Sequence, residues 1–93
     1  MAKLLTDAEI QAQSSRLSGW IVEGAKLQNT RKFKDFIAAI EFVNKLVEPA
    51  ESSGHHPDIE ISYNKVIITL TTHDAGGLTE KDFELAQTIS QIS

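Results

Sequence analysis

Cysteine is absent from this 93-residue chain, and its absence excludes several classes of protein. A chain without cysteine has no disulfide framework, no thiolate nucleophile and no zinc site built on sulfur. The sequence also lacks an apolar run long enough for a signal peptide or a membrane-spanning helix. We therefore expect a cytoplasmic protein that does not associate with a membrane.

Basic residues are too scattered to predict a surface that binds nucleic acid. Nine Lys and Arg residues stand against 13 Asp and Glu residues, which gives a formal net charge of −4 at pH 7. The only basic residues that come close to clustering are Lys26, Arg31, Lys32 and Lys34. A short group of this kind is more often a solvated edge than a phosphate-binding track. A chain of 93 residues has room for one domain, so we expect residues 1–93 to form a single domain with one modest core.

Capping signals and hydrophobic periodicity divide the chain into seven predicted elements. Thr6 with Glu9, and Thr79 with Asp82, form capping boxes that predict the first and last helices. Apolar residues at helical or alternating spacing predict the other elements. The predicted order is a helix at 7–16, strands at 20–23 and 27–33, a helix at 35–52, strands at 58–63 and 66–73, and a helix after Thr79. This α-β-β-α-β-β-α order predicts an α+β fold, in which helices pack on one face of a four-stranded antiparallel sheet.

Two features interrupt this simple pattern. In the second strand, Asn29 and Arg31 share a face with Leu27, which predicts either an edge position or a polar site near that face. Pro49 falls inside the long helix, where proline removes a hydrogen bond and clashes with the preceding turn. We therefore expect the helix to kink or stop at Pro49.

All three histidines fall between residues 54 and 78, a segment that also contains the predicted hairpin of the last two strands. A turn at Asn64-Lys65, or a symmetric four-residue loop, pairs Ile61 with Ile68. This register places the bulky apolar side chains of both strands on one face, and a one-residue slip would reverse a whole strand. The hydrophobic pattern therefore favours this register.

Continued to the open end of the hairpin, the same register places His56 opposite His73. It also places His55 beside Asp74. Directly opposed side chains have Cβ atoms about 5 Å apart, so the two rings are expected to titrate as a pair. Because histidine changes its charge near neutral pH, one ring of the pair can be neutral while the other is charged. Such a pair can give a proton to one atom and take a proton from another, which is general acid–base catalysis.

Two other interpretations of the histidines stay open. They can be surface residues without a function, or imidazoles together with Asp74 or Glu51 can bind zinc or iron. Neither H-x-x-x-H nor H-E-x-x-H is present, and adjacent histidines on a strand point to opposite faces, so we expect no metal. Asp82 has a structural explanation as a capping residue. Glu51 has less of one, because it lies near a helix end that disfavours negative charge.

The spacing of these residues resembles the signature of the pterin-4a-carbinolamine dehydratase family, Glu-x₃-His-His-Pro-x₅-aromatic-x₉-His-x₈-Asp. At these positions the chain has Glu51, His55, His56, Pro57, Tyr63, His73 and Asp82. The segments RKFKDF, YNKVIITLTTHDAGGLT and DFELA resemble the family as well. The sequence departs from some relatives at Gly54, where they have an acidic residue, and at Ile59, where they have tryptophan. The likeness extends from about residue 20 to about residue 90.

The resemblance implies a hydro-lyase that works without metal or organic cofactor. Its substrate is 4a-hydroxytetrahydrobiopterin, which loses water to give quinonoid dihydropterin, and this reaction recycles the cofactor of aromatic amino-acid hydroxylases. The resemblance also implies a homodimer or a homotetramer, built by joining sheets edge to edge or by packing helices together. No nucleic acid is implied as a direct partner.

The resemblance further implies roles for individual residues. His55 and His73 exchange protons around the 4a-hydroxyl and N5 of the substrate, but which of them is the acid stays open. His56 holds and orients the pterin ring, and Glu51 contacts its polar edge. The other expected site residues are the supporting carboxylate and the pocket lining: Asp82, Pro57, Thr72, Asp74 and Ala75.

A non-catalytic binding module of the same fold is the alternative hypothesis. Some animal members of the family serve as the dimerisation partner of a homeodomain transcription factor. Some bacterial and plastid relatives assist the assembly of a carbon-fixing enzyme. A small sheet with an open face and free edges suits such a role even when its pocket is not used.

Overall fold

Four strands and four α-helices make up the structure, a computed structural model that describes residues 3–92. The helices are α1 (Asp7–Ser14), α2 (Phe36–Lys45), α3 (Val47–Ser53) and α4 (Glu80–Ser90). The strands are β1 (Trp20–Glu23), β2 (Lys26–Lys32), β3 (Asp58–Ser62) and β4 (Lys65–Leu70). The α+β fold and the order of its elements are as predicted, except that the long helix is divided in two.

The sheet has the strand order β1-β2-β4-β3, and all its neighbouring strands are antiparallel. Its covered face supplies one side of the core, with Leu27, Val66, Ile68 and Leu70 fully or almost fully buried. Helices α2 and α4 supply the other side, chiefly with Phe42, Phe83, Ala86 and Ile89. Residues of the opposite sheet face are exposed or half-buried, so one face of the sheet is open, as predicted.

The polar residues Asn29 and Arg31 of β2 form hydrogen bonds with backbone carbonyls around the core. β2 is a central strand, so an edge position is the wrong alternative. Nδ2 of Asn29 donates to the carbonyl of Gly19 at 2.7 Å. Arg31 donates to the carbonyls of Ile92 and Ile89 at 2.7 and 3.0 Å. Carbonyls at a helix C-terminus have no partner within the helix, so a cation here stabilises the end of α4.

The predicted long helix breaks at Leu46, three residues before Pro49. In a continuous helix, the Pro49 ring would clash with the carbonyl of Lys45 and its nitrogen would offer that carbonyl no proton. The break instead places Pro49 in the first turn of α3, where a missing N–H costs little. Gly54 then ends α3 in the left-handed conformation, at a φ of 64°.

The hairpin of β3 and β4 has a register two residues away from the predicted one. Ile61 pairs with Val66, because the two-residue turn begins at Tyr63, one residue earlier than predicted. Tyr63 has a φ of 54°, which is unusual for a residue other than glycine. Asn64 anchors the turn, since its side chain donates to the carbonyl of Phe33 and its own carbonyl accepts from the N–H of Phe33, both at 2.8 Å. A shift of two residues keeps every side chain on its predicted face.

β4 ends at Leu70, so the ladder stops before the histidines. An isolated bridge joins Thr72 to Gly77, and between them His73 begins a short 3₁₀ turn. The predicted pairing of His56 with His73 across the ladder is therefore wrong. The reason is local, because the carbonyl of Thr72 accepts from the backbone N–H groups of the following residues and so curls the chain away from the extended conformation.

Candidate active site

His55 and Asp82 form a close, mostly buried pair between the end of α3 and the start of α4. Nε2 of His55 lies 2.6 Å from Oδ1 of Asp82. The His55 side chain is 11% exposed, and the Asp82 side chain is fully buried. The left-handed turn at Gly54 lets the backbone N–H of His55 donate to the carbonyl of Ala50 at 3.2 Å. This turn fixes the backbone from which the His55 ring reaches α4.

The other oxygen of Asp82 is held by the capping box of α4. Oδ2 accepts from the backbone N–H of Thr79 at 2.9 Å and from the hydroxyl of Thr72 at 2.8 Å. The hydroxyls of Thr72 and Thr79 are themselves 2.8 Å apart. The capping box is as predicted. It also presents a carboxylate to His55, because the third residue of the helix uses one oxygen for the cap and the other for the imidazole.

His56 has a different partner from His55. Its Nε2 lies 2.6 Å from Oε2 of Glu51, and the two side chains are 62% and 67% exposed. The pair borders a groove of about 190 Å³ between the helices and β3. The other residues that line the groove are Val43, Leu46, Val47, Ala50, Pro57 and Ile59. The groove combines an apolar wall with a few polar groups, which is the composition that ligand sites commonly have.

His73 lies exposed at the start of the 3₁₀ turn His73–Ala75. Within residues 3–92 its ring makes no hydrogen bond. The preceding residue is Thr72, whose hydroxyl contacts Asp82, and Asp82 contacts His55. The turn that carries His73 is therefore anchored to the same carboxylate as His55.

Contacts divide the predicted site residues into two groups. The first consists of the buried network and the turn that follows it: His55, Asp82, Thr72, His73, Asp74 and Ala75. The second borders the groove: Glu51, His56 and Pro57. Thr79 was predicted only as a capping residue, and its link to the site was missed. The sequence did contain a signal for this link, because Asp82 belongs both to the capping box with Thr79 and to the family signature.

Within residues 3–92, no three His, Cys, Asp or Glu side chains are arranged so that they could hold a metal ion. None of the helices in this part of the chain has both the length and the apolar character needed to cross a membrane.

The fold and the buried histidine–carboxylate pair define a class of small α+β proteins, and comparison with known sequences identifies the class. The family model described as pterin 4 alpha carbinolamine dehydratase matches residues 3–92. The chain therefore belongs to the pterin-4a-carbinolamine dehydratase family, and the resemblance drawn from the signature is confirmed.

Bacterial relatives support this assignment over the whole chain. The sequence is 80% identical to a protein of Trichormus variabilis and 78% identical to one of Nostoc sp., in each case over 100% of both chains. It is 45% identical to a protein of Koribacter versatilis, over 99% of this chain and 98% of the relative. The names of all three assign them provisionally as pterin-4-alpha-carbinolamine dehydratases.

Solved structures show the same architecture. The crystal structure of a transcriptional coactivator/pterin dehydratase from Brucella melitensis matches with a TM-score of 0.86 and 37% identity, over 91% of this chain and 93% of that one. A pterin dehydratase-like protein, identified as a RuBisCO assembly factor in the alpha-carboxysome, matches with a TM-score of 0.61 and 22% identity. The match covers 76% of this chain and 82% of that one. The second similarity establishes a shared fold alone.

Proposed function

We propose that the protein is a 4a-hydroxytetrahydrobiopterin dehydratase that releases water from the pterin carbinolamine and gives quinonoid dihydropterin. The observation that carries this proposal is the pair of His55 and Asp82, in which Nε2 of the imidazole and Oδ1 of the carboxylate lie 2.6 Å apart in a mostly buried position. A buried carboxylate holds an imidazole in one tautomer and stabilises its protonated form. Membership of the family supports the choice of substrate.

The reaction needs an acid and a base but no electron acceptor. The lone pair on N5 expels the hydroxyl from C4a as that oxygen is protonated, which breaks the C–O bond and forms a C=N bond. The resulting cation then loses the proton on N5. The net change is the release of one water molecule, so two groups that exchange protons are sufficient. Such groups typically contribute roughly 10²- to 10⁴-fold to a rate.

In this proposal His55 and His73 exchange protons at the 4a-hydroxyl and at N5. The position of His73 on a turn anchored through Thr72 to Asp82 supports its assignment to the same centre as His55. His56 orients the pterin ring, and the exposed carboxylate of Glu51 accepts hydrogen bonds from its polar edge. Groups of Pro57, Asp74 and Ala75 and the backbone of Thr72 complete the pocket lining, since the Thr72 hydroxyl is engaged with Asp82.

The assay generates the carbinolamine with an aromatic amino-acid hydroxylase and follows its disappearance spectroscopically. We expect the wild-type protein to accelerate dehydration beyond the spontaneous rate. His55→Ala and His73→Ala are each expected to lower kcat about 100-fold, because each removes one proton-transfer group. Gln87→Ala, at an exposed position of α4, serves as the control and should retain full activity. The proposal fails if the wild type is inactive or if the double histidine variant is fully active.

A binding role is the second candidate, and the exposure of large apolar side chains on α2 and α3 favours it. Phe36, Ile37 and Val47 are all exposed, although each is large and apolar. An apolar surface of this kind suits contact with another protein or with a second copy of the chain. A partner that co-purifies with the double variant of His55 and His73 as well as with the wild type would support a role independent of catalysis.

A further inference from the structure

We infer that Thr72 and Thr79 are positioning residues which, through Asp82, fix the proton of His55 on Nε2 and leave Nδ1 as the atom that meets the substrate. The catalytic role of Nδ1 of His55 in this inference rests on the function proposed above. The assignment of the tautomer does not, because it follows from the hydrogen bonds of the folded protein.

The direction of each hydrogen bond around Asp82 can be derived from the donors. The backbone N–H of Thr79 can only donate, so Oδ2 of Asp82 accepts from it. The hydroxyl of Thr79 accepts from the N–H of Lys81 at 3.3 Å and is 2.8 Å from the hydroxyl of Thr72. Since Thr72 gives its single proton to Oδ2, the Thr79 hydroxyl donates to Thr72. Every bond in this network therefore runs toward the carboxylate.

A carboxylate surrounded by donors is held in its ionised form, in which it is an acceptor only. Oδ1 of Asp82 must therefore accept from Nε2 of His55, which places the proton of the neutral ring on Nε2. The other nitrogen of a neutral imidazole is an acceptor. Nδ1 of His55 is thus left with a free lone pair, as a general base requires.

Nδ1 of His55 is also accessible to a small molecule. Within residues 3–92 it makes no hydrogen bond. No buried side-chain nitrogen or oxygen in that range lacks a partner, so Nδ1 is not sealed inside the protein. The small exposed part of the His55 side chain, 11%, is consistent with one ring nitrogen that reaches the surface.

His56 provides an internal comparison at the same distance. Its Nε2 also lies 2.6 Å from a carboxylate oxygen, but both partners are more than half exposed. Within residues 3–92, no other group holds the Glu51 carboxylate. Water can replace either partner, so this contact does not fix a tautomer. The network of Thr72 and Thr79, rather than the distance, is what distinguishes His55.

Two-bond ¹H–¹⁵N correlation spectra of the uniformly ¹⁵N-labelled protein test the tautomer directly, at a pH where the histidines are neutral. We expect His55 to be in the Nε2–H form and His56 to show averaged tautomers. In Thr72→Val, which keeps the side-chain shape but removes the hydroxyl, we expect the Nδ1–H form of His55 to appear. Thr72→Ser should restore the wild-type spectrum. Thr71→Val is the control, because the hydroxyl of Thr71 donates to Ala25, outside the network.

An Nδ1–H tautomer of His55 in the wild type overturns the inference, and that measurement needs no variant to fold. An unchanged His55 spectrum in folded Thr72→Val overturns it as well. If the wild type lacks dehydratase activity but His55 is in the Nε2–H form, the proposed function fails and the positioning network stands.

Kinetics separate a positioning role from a direct contact with substrate. We expect Thr72→Val to lower kcat about tenfold at unchanged KM, a part of the roughly 10²- to 10⁴-fold that acid–base catalysis supplies. Its pH–rate profile should also differ from that of the wild type, whereas Thr72→Ser should restore both properties. A raised KM at unchanged kcat would show that the hydroxyl of Thr72 binds substrate, and would contradict the positioning role.

Discussion

At the scale of single residues, two carboxylates lie 2.6 Å from histidine nitrogens in very different surroundings. Asp82 is fully buried and accepts three hydrogen bonds, whereas Glu51 is exposed and contacts only His56 within residues 3–92. Exposed ion pairs contribute little free energy because water competes for both partners. A buried carboxylate has no such competitor, so Asp82 can hold a ring in one orientation while Glu51 is free to exchange its partner for a ligand.

Glu9 gives a residue-scale prediction about pH. The pKa of Glu9 is below its ordinary value, first because its carboxylate accepts from the backbone N–H of Thr6 and second because of its interaction with the Thr6 side chain. Because the pKa of Glu9 is lower in the folded state, ionised Glu9 stabilises α1 at pH values above the pKa that Glu9 has in the unfolded chain. This stabilisation is lost as the pH falls through the folded value.

Titration by NMR checks the sign of this shift. The side-chain carboxyl of Glu9 should titrate below the ordinary range for glutamate, and the amide of Thr6 should follow the same midpoint. In Glu9→Gln the midpoint of the Thr6 amide should disappear, because the amide side chain does not ionise. A Glu9 midpoint at or above the ordinary value would contradict the prediction.

At the scale of elements, the two ends of α4 are each held by residues from the sheet side of the molecule. Its first turn is capped by Thr79 and Asp82, and Asp82 is in turn bound by Thr72, beyond the end of β4. At the other end, the carbonyl of Ile89 in the last turn and that of Ile92, just beyond the helix, accept from Arg31 of β2. The contact at the first turn satisfies a backbone N–H that a helix leaves without a partner, and the contact of Arg31 adds a charged donor to the C-terminal carbonyls. The position of the Asp82 carboxylate therefore depends on a helix that is fixed at both ends.

Substitution of Arg31 tests this fixation. Arg31→Met should lower the free energy of unfolding by about 2–3 kcal/mol, because it removes hydrogen bonds from a charged donor to two carbonyls. The guanidinium also lies 4.5 Å from the centroid of the Phe42 ring, a contact that Met cannot replace with charge. Burial lowers the pKa of Arg31, but arginine stays charged near neutral pH. The loss of unfolding free energy in Arg31→Met should therefore not depend on pH in that range.

Urea unfolding followed by circular dichroism measures this loss. Lys32→Met is the matched control, since Lys32 is the next residue of β2 and is exposed. An exposed substitution of this kind should change the stability by no more than about 0.5 kcal/mol. Equal effects of the two substitutions would show that the carbonyls of α4 gain nothing from Arg31.

At the scale of the whole molecule, the described surface has two features suited to self-association. All residues of β3 are exposed, and β3 lies at the end of the sheet. Exposed Phe36, Ile37 and Val47 give α2 and α3 an apolar surface. An open strand edge and an apolar helix surface are both suited to pairing with a second copy. We therefore propose that the protein is a homodimer or a homotetramer.

Light scattering coupled to size-exclusion chromatography measures the assembly. We expect the wild type to have the mass of a dimer or tetramer, and Ile37→Asp to reduce it, because burial of a charge in an apolar contact is costly. Ala12→Asp, at an exposed position of α1, should leave the mass unchanged. A monomeric wild type would refute the proposal, and an Ile37→Asp variant of unchanged mass would place the contact away from α2.

Much of the fold was predictable because its signals are local. The capping boxes of α1 and α4 each lie within four consecutive residues, and both are present in the structure. Alternation predicted the last three strands and the face that their side chains occupy. The buried alternate residues of β4 confirm the predicted face. These features follow from the side-chain periods of helices and strands, which can be read from a short segment without knowing what packs against it.

The register of the hairpin was not predictable in the same way. A shift of two residues leaves every side chain on the same face, so alternation cannot distinguish the observed register from the predicted one. The observed turn is anchored by Asn64 to Phe33, which is 31 residues earlier in the chain. This contact between residues 31 positions apart depends on the packing of β2 against β4, so no local sequence pattern predicts it.

The sequence by itself determined the order of the elements, the family and the identity of the residues in its signature. Only the tertiary structure decided which carboxylate meets which histidine. His55 reaches Asp82, 27 residues away, because α4 packs beside α3, whereas His56 turns to Glu51, five residues before it. The physical reason is that local patterns fix the direction of a side chain relative to its own element. The packing of the elements fixes what that side chain contacts.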